Sequence, residues 1–138
     1  MTIDDARLIE LPRFNAPRGN LSFVEQHNQV PFKFERVYWI YDVPGGENRS
    51  GHAYHTTEEL IIAISGSLDV IVDDGTNKRT FTLNRSYYGL YIPKGLWRTL
   101  TNFSTNSLAL EIASTPYNRA DYVEDYGTYK RMKQHGEI

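Results

Sequence analysis

GENRSGHAYHTTEELIIAISG, residues 46–66, is the stretch from which the fold is read. His52 and Tyr54 stand two apart, so on an extended strand they share a face. His55 points the other way, and Arg49, three residues before His52, is placed to reach the mouth of the same cavity. Outward from this stretch the chain reads as short strands. LSFVEQ (21–26) alternates apolar and polar residues, and FERVYWIYDV (34–43) is aromatic and β-branched. Residues 59–83 hold three apolar runs, with turn signals at Ser65-Gly66-Ser67 and Asp73-Asp74-Gly75. YYGLYIP (87–93), RTLTNF (98–103) and SLALEIAS (107–114) follow, each bounded by Gly, Pro, Asn or Ser. Such spacing predicts an all-β sandwich or barrel rather than βαβ units. Tyr122, Val123, Tyr126 and Tyr129 recur at helical spacing, which predicts short helical turns packed outside the strands.

Composition narrows the function. The length of 138 residues suits a single domain over 1–138, enough for one core. A net charge of -2 gives no pull toward nucleic acid or an anionic membrane. No apolar run approaches the ~20 residues that span a bilayer, and the acidic N-terminus does not read as a signal peptide. A cytoplasmic protein is expected. The absence of cysteine excludes disulfides and thiol catalysis. Ten tyrosines offer apolar area with a polar tip, suited to interfaces and sugar or base pockets.

Gly46, His52, Glu59 and Gly66 fall on the spacing of the first cupin motif, with Tyr54 where a metal-binding cupin has its second histidine. Pro93, Gly95 and Asn102 fall on the second cupin motif, with Arg98 at its histidine position. The chain therefore resembles the cupins, which implies an RmlC-like jelly roll, or double-stranded β-helix, with a short C-terminal helical tail. A cupin metal site uses three histidines and a glutamate. Here one imidazole and one carboxylate remain, and a permanent arginine cation repels a divalent ion. No metal is expected, and Glu59 then becomes structural.

RGNLSFVE (18–25), the two motifs and the ending ASTPYNRADYVEDYGTYKR (113–131) carry a narrower resemblance over nearly the whole chain. It is to the WxcM-like dTDP-4-keto-6-deoxyglucose 3,4-ketoisomerases of O-antigen and S-layer glycan synthesis. The family's R-G-x-H-A-H stands here as Arg49-Ser-Gly-His52-Ala-Tyr54, with one extra residue and the second histidine replaced. The ending resembling D-Y-x-x-D-Y is specific to this group. The resemblance implies cofactor-free conversion of a dTDP-4-keto sugar to a 3-keto sugar through an enediol. By position His52 is the base and Tyr54 a proton donor or enediolate partner. A neutral imidazole suits the first role, and a phenol with its ordinary pKa near ~10 is a poor base.

Arg49 and Arg98 are expected to hold the diphosphate or the enediolate oxygen. Tyr38, Tyr91 and Trp97 are expected to stack on thymine or line the sugar pocket, although Tyr91 and Trp97 serve a barrel core equally well. Arg18 is a further substrate-binding candidate, or a solvated loop charge. A homodimer is expected, with the strand around Leu21 as an exchange element. Arg98 in place of a histidine leaves fewer proton donors on its side and favours a glucose-configured product. A deoxysugar nucleotide epimerase and a non-catalytic sugar-nucleotide-binding cupin are the alternatives. A metal-dependent oxygenase is a third, which bound metal would reveal.

Overall fold

The computed structural model describes residues 1–138. Its strands are β1 (Arg7–Glu10), β2 (Arg13–Phe14), β3 (Leu21–Ser22), β4 (Arg36–Ile40), β5 (Ala53–Tyr54) and β6 (Glu59–Ser65). There follow β7 (Leu68–Asp73), β8 (Lys78–Leu83), β9 (Tyr88–Ile92), β10 (Trp97–Thr101), β11 (Leu108–Ala113) and β12 (Tyr122–Val123), then helix α1 (Tyr126–Gln134). One sheet runs β1-β9-β6-β11-β4 and the facing one β10-β7-β8, with all ladders antiparallel. A β12-β5 pair extends the second sheet, because His52 bridges to Arg98 through two backbone bonds, N–H to O at 3.1 Å and 2.9 Å. The result is the expected cupin jelly roll.

Strand alternation sorts the side chains into three cores. Between the sheets lie Ile61, Ala63, Val70, Val72, Leu90, Ile92, Leu100 and Phe103. Leu60, Ile62 and Ile112 point from the opposite face of the larger sheet and are covered by Leu11, Val30 and Phe32 from the N-terminal segment. This is why β6 reads as an unbroken apolar run: both its faces are buried over Glu59–Ala63. A third, small core of Ala53, Trp97, Val123 and Tyr129 lies under α1.

Several boundaries differ from the sequence expectation. Of LSFVEQ only Leu21–Ser22 is a strand, and it pairs with β2 alone. The Asp73–Gly75 cluster does turn the chain from β7 to β8. Asp74 accepts the N–H groups of Thr76 and Asn77, and Asp73 accepts that of Gly75. In the tail, Tyr122 and Val123 form a strand instead of a helical turn. The helix begins only at Tyr126, after Asp125 caps it by accepting the Thr128 N–H at 2.8 Å. Tyr129 anchors that helix, donating to the Gly95 carbonyl at 2.8 Å.

Candidate active site

A cavity of about 650 Å³ opens between the two sheets, in the size range of small-molecule sites. β4 contributes Tyr38, the 49–52 segment Arg49 and His52, β10 Arg98, β11 Glu111 and β12 Tyr122. Cross-strand register explains the convergence. Tyr38 pairs with Glu111, Glu111 with Ile61, Arg98 with Val72, and Tyr122 with Tyr54. Each of these positions has the parity that faces the interior of the roll.

Arg98 is the electrostatic centre. Its Nε donates to Glu59 Oε1 at 2.7 Å, and its Nη2 donates to Glu111 Oε1 at 2.7 Å and to the Tyr38 hydroxyl at 3.2 Å. All three charged groups are buried. Burial works against the guanidinium charge, but Glu59 and Glu111 outweigh it and hold Arg98 well above its ordinary range. Burial pushes Glu111 up; Arg98 opposes this and the neighbouring Glu59 reinforces it. The Glu111 Oε2 oxygen has no partner.

His52 stands beside this ion triad with its Nε2 buried and unpartnered. Its ring packs edge-on against Tyr54 at 4.8 Å and lies tilted against Tyr122 at 4.9 Å between centroids. Burial first, then the cations Arg98, Arg36 and Arg49, lower its pKa to about 2, so the imidazole is neutral. The phenols form a chain: Tyr38 and Tyr54 hydroxyls lie 3.3 Å apart, and Tyr54 donates to Tyr122 at 3.2 Å. Arg36 Nη1 donates to the same Tyr122 oxygen at 3.3 Å. Burial, the largest cause in each case, pushes Tyr38 and Tyr54 above the ordinary phenol range, which keeps both protonated.

The donor set does not fit a divalent ion. No three His, Cys, Asp or Glu side chains lie together to hold one, and both buried carboxylates are bound to Arg98. What the arrangement can do is hold an uncharged base, hydrogen-bond donors and positive charge around a ligand that develops negative charge.

Of the residues singled out in the sequence, His52, Tyr54, Tyr38, Arg98 and Arg49 come together here. Tyr91 does not. Leu90 and Ile92 face the space between the sheets, so Tyr91 faces outward, against Phe32, with its hydroxyl bound to Glu58. Trp97 does not either: its neighbour Arg98 points inward, so alternation sends Trp97 outward under α1, against Tyr126 and Tyr129. Arg18 lies exposed in the loop between β2 and β3, away from the cavity lining. Sequence reasoning missed Arg36, Glu111 and Tyr122. A lone carboxylate inside the apolar run SLALEIAS was a readable sign of a buried charge at Glu111. Arg36 shares the parity of Tyr38, and Tyr122 sits in the specific D-Y-x-x-D-Y ending.

A family model described as FdtA: WxcM-like, C-terminal matches residues 4–134. A curated relative, the TDP-4-oxo-6-deoxy-alpha-D-glucose-3,4-oxoisomerase of Aneurinibacillus thermoaerophilus, is 32% identical over 91% of this chain and 90% of its own length. Among solved structures, the WlaRB TDP-quinovose 3,4-ketoisomerase of Campylobacter jejuni is 37% identical, covering 92% of this chain and 98% of its own at a TM-score of 0.88. The sugar 3,4-ketoisomerase QdtA of Thermoanaerobacterium thermosaccharolyticum, solved in complex with TDP, is 26% identical, covering 96% and 97% at a TM-score of 0.91.

Proposed function

The chain belongs to the WxcM-like, C-terminal family, and from that premise we propose that it is a TDP-sugar 3,4-ketoisomerase acting on dTDP-4-keto-6-deoxyglucose. The reading is supported by the named activities of the similar proteins and by the bound TDP of one of them. The observation that carries it to this chain's own residues is the buried, unpartnered Nε2 of a neutral His52 at the cavity wall, beside Arg98.

In this reading His52 removes the C3 proton. The C3–H electron pair forms the C3–C4 double bond, and the carbonyl pair moves onto O4. The enediolate charge then faces Arg98, Arg36 and Arg49, the cations that, after burial, depress His52. The negative charge of the sugar nucleotide and enediolate offsets those cations, so the imidazole becomes more basic as the proton is transferred. Arg49, at the mouth, takes the diphosphate. Tyr54 acts from behind the cavity wall, as the hydrogen-bond partner of Tyr122.

The product we propose is glucose-configured, as in the quinovose-type relative. The C3 hydrogen of the substrate and the C4 hydrogen of that product lie on opposite ring faces, so C4 is protonated from the side away from His52. Arg98 is not that donor, because, against the effect of burial, Glu59 and Glu111 keep its guanidinium protonated well above the ordinary range. Water is.

A homodimer belongs to the same proposal. The β2–β3 hairpin pairs with no other strand, and Phe14, Leu21 and Phe23 stand exposed on it at 62%, 57% and 36%. An apolar arm of this kind is suited to packing on a second copy.

Incubation with dTDP-4-keto-6-deoxyglucose in D₂O tests the reading. Deuterium should enter C3 of residual substrate and C4 of a 3-keto product, and NMR of the product should show the glucose configuration. His52→Asn should abolish exchange while dTDP still binds. A wild-type protein that neither exchanges nor converts would overturn the activity. Conversion with retention of the C4 ketone would point to an epimerase.

A further inference from the structure

We propose that Tyr122 is a catalytic residue of the isomerisation, carrying the proton between the two substrate oxygens O4 and O3; the inference rests on the ketoisomerase reading above.

The hydrogen-bond directions single Tyr122 out. Tyr54 has one hydroxyl proton and donates it to Tyr122. At the Tyr38–Tyr54 contact, Tyr38 is therefore the donor, and Tyr38 in turn accepts from Arg98 Nη2. The chain runs one way, from Arg98 through Tyr38 and Tyr54 to Tyr122. Tyr122 also accepts from Arg36 Nη1, so both its lone-pair positions are filled by donors. Its own proton has no acceptor in the protein, and the residue lines the cavity beside the bare Nε2 of His52. Tyr54, by contrast, is buried with its proton already committed.

This arrangement is a phenol with an uncommitted proton and a prepared site for the phenolate left behind. A cation and a hydroxyl both point at the oxygen that would gain charge, which is the geometry of an oxyanion site. The steps balance without any other reactant. As His52 takes the C3 proton and electron density reaches O4, Tyr122 gives its proton to O4 and becomes a phenolate held by Arg36 and Tyr54. The phenolate then takes the proton from O3. The O–H pair forms the C3 carbonyl, the C3–C4 π pair takes up a proton from water at C4, and Tyr122 is restored. His52 returns its proton to solvent. No net oxidant or reductant is consumed.

The assignment also accounts for the fixing of the 121–123 segment. Asp121 accepts from the Thr56 N–H at 2.8 Å and from the Thr57 N–H at 3.2 Å, while β12 pairs with β5. These contacts hold Tyr122 in register with Tyr54 although 68 residues separate them.

Tyr122→Phe removes the proton and leaves the ring. Its kcat should fall about 10²–10⁴-fold, the usual worth of a positioned acid–base group. KM, and affinity for TDP, should stay within about threefold, since the ring and the arginines remain. Active wild type together with a Tyr122→Phe variant within threefold of its kcat would overturn the inference and leave the ketoisomerase reading intact. Wild type without exchange or conversion would overturn that reading instead. Site-specific Tyr122→3-fluorotyrosine separates chemistry from support and stands even if the phenylalanine variant fails to fold. A more acidic phenol that donates in the reaction should move the alkaline limb of the kcat profile to lower pH. An unmoved limb would reduce Tyr122 to a structural role.

Discussion

At residue scale, the site is organised by one exchange of charge. A cation at Arg98 stands at the histidine position of the second cupin motif, and it pairs with the two buried carboxylates that would otherwise be costly. The same cation helps hold His52 neutral, after burial, and this has a consequence for stability. A histidine in the unfolded chain titrates near ~6.5, whereas native His52 titrates at about 2. As pH falls below the unfolded value, the unfolded chain binds a proton that the native protein refuses. The stability that His52 contributes is thus complete above the unfolded value and is lost progressively as pH falls toward the native one. Denaturant unfolding of wild type and His52→Asn at pH 7, 6, 5 and 4 should show the shallower decline in the variant. Parallel declines would show that His52 is not desolvated as described.

At element scale, the segment before β5 has little room. Gly51 lies against Trp97 and Thr99 of β10, and an added Cβ would collide with the indole Nε1 and the threonine Oγ1. Gly51→Ala should cost about 1–3 kcal/mol in thermal or urea unfolding, the usual cost of overpacking. Because the His52–Arg98 bridge follows directly, kcat should drop more than KM rises. A variant as stable and as active as wild type would show that the segment shifts freely. Trp97 thus acts from outside the cavity, as the floor on which the 49–52 segment rests.

At the scale of the whole molecule, the proposed second copy packs on the β2–β3 arm. The β2–β3 arm has Phe14 and Phe23 stacked at 6.2 Å and both partly open to solvent. Replacing both by serine should lower the dimer fraction in sedimentation velocity at micromolar concentration, with the far-UV spectrum unchanged. Unaltered sedimentation of a dimer would place the interface elsewhere. The pairing would also decide whether Arg18, exposed on the same arm, meets a partner's surface.

The strand pattern, the turn positions and the two cupin motifs were legible because each rests on local rules: alternation, glycine and proline placement, and fixed spacing. His52, Tyr54 and Arg98 were legible for the same reason, since the motifs place them relative to a known frame. Tyr91 was ambiguous because a strand buried on both faces gives no local sign of which face meets the cavity, whereas alternation from Arg98 places Trp97 on the other face. Arg36, Glu111 and Tyr122 were beyond the local rules, since their roles depend on which strands become neighbours. The chain by itself therefore determined the class of fold, the imidazole at the site and the arginine in a histidine's place, all encoded at short range. Only the tertiary structure decided which side of each strand faces the cavity and brought Tyr122 back onto Tyr54. Those outcomes depend on the register between distant strands, which is set when the whole roll closes.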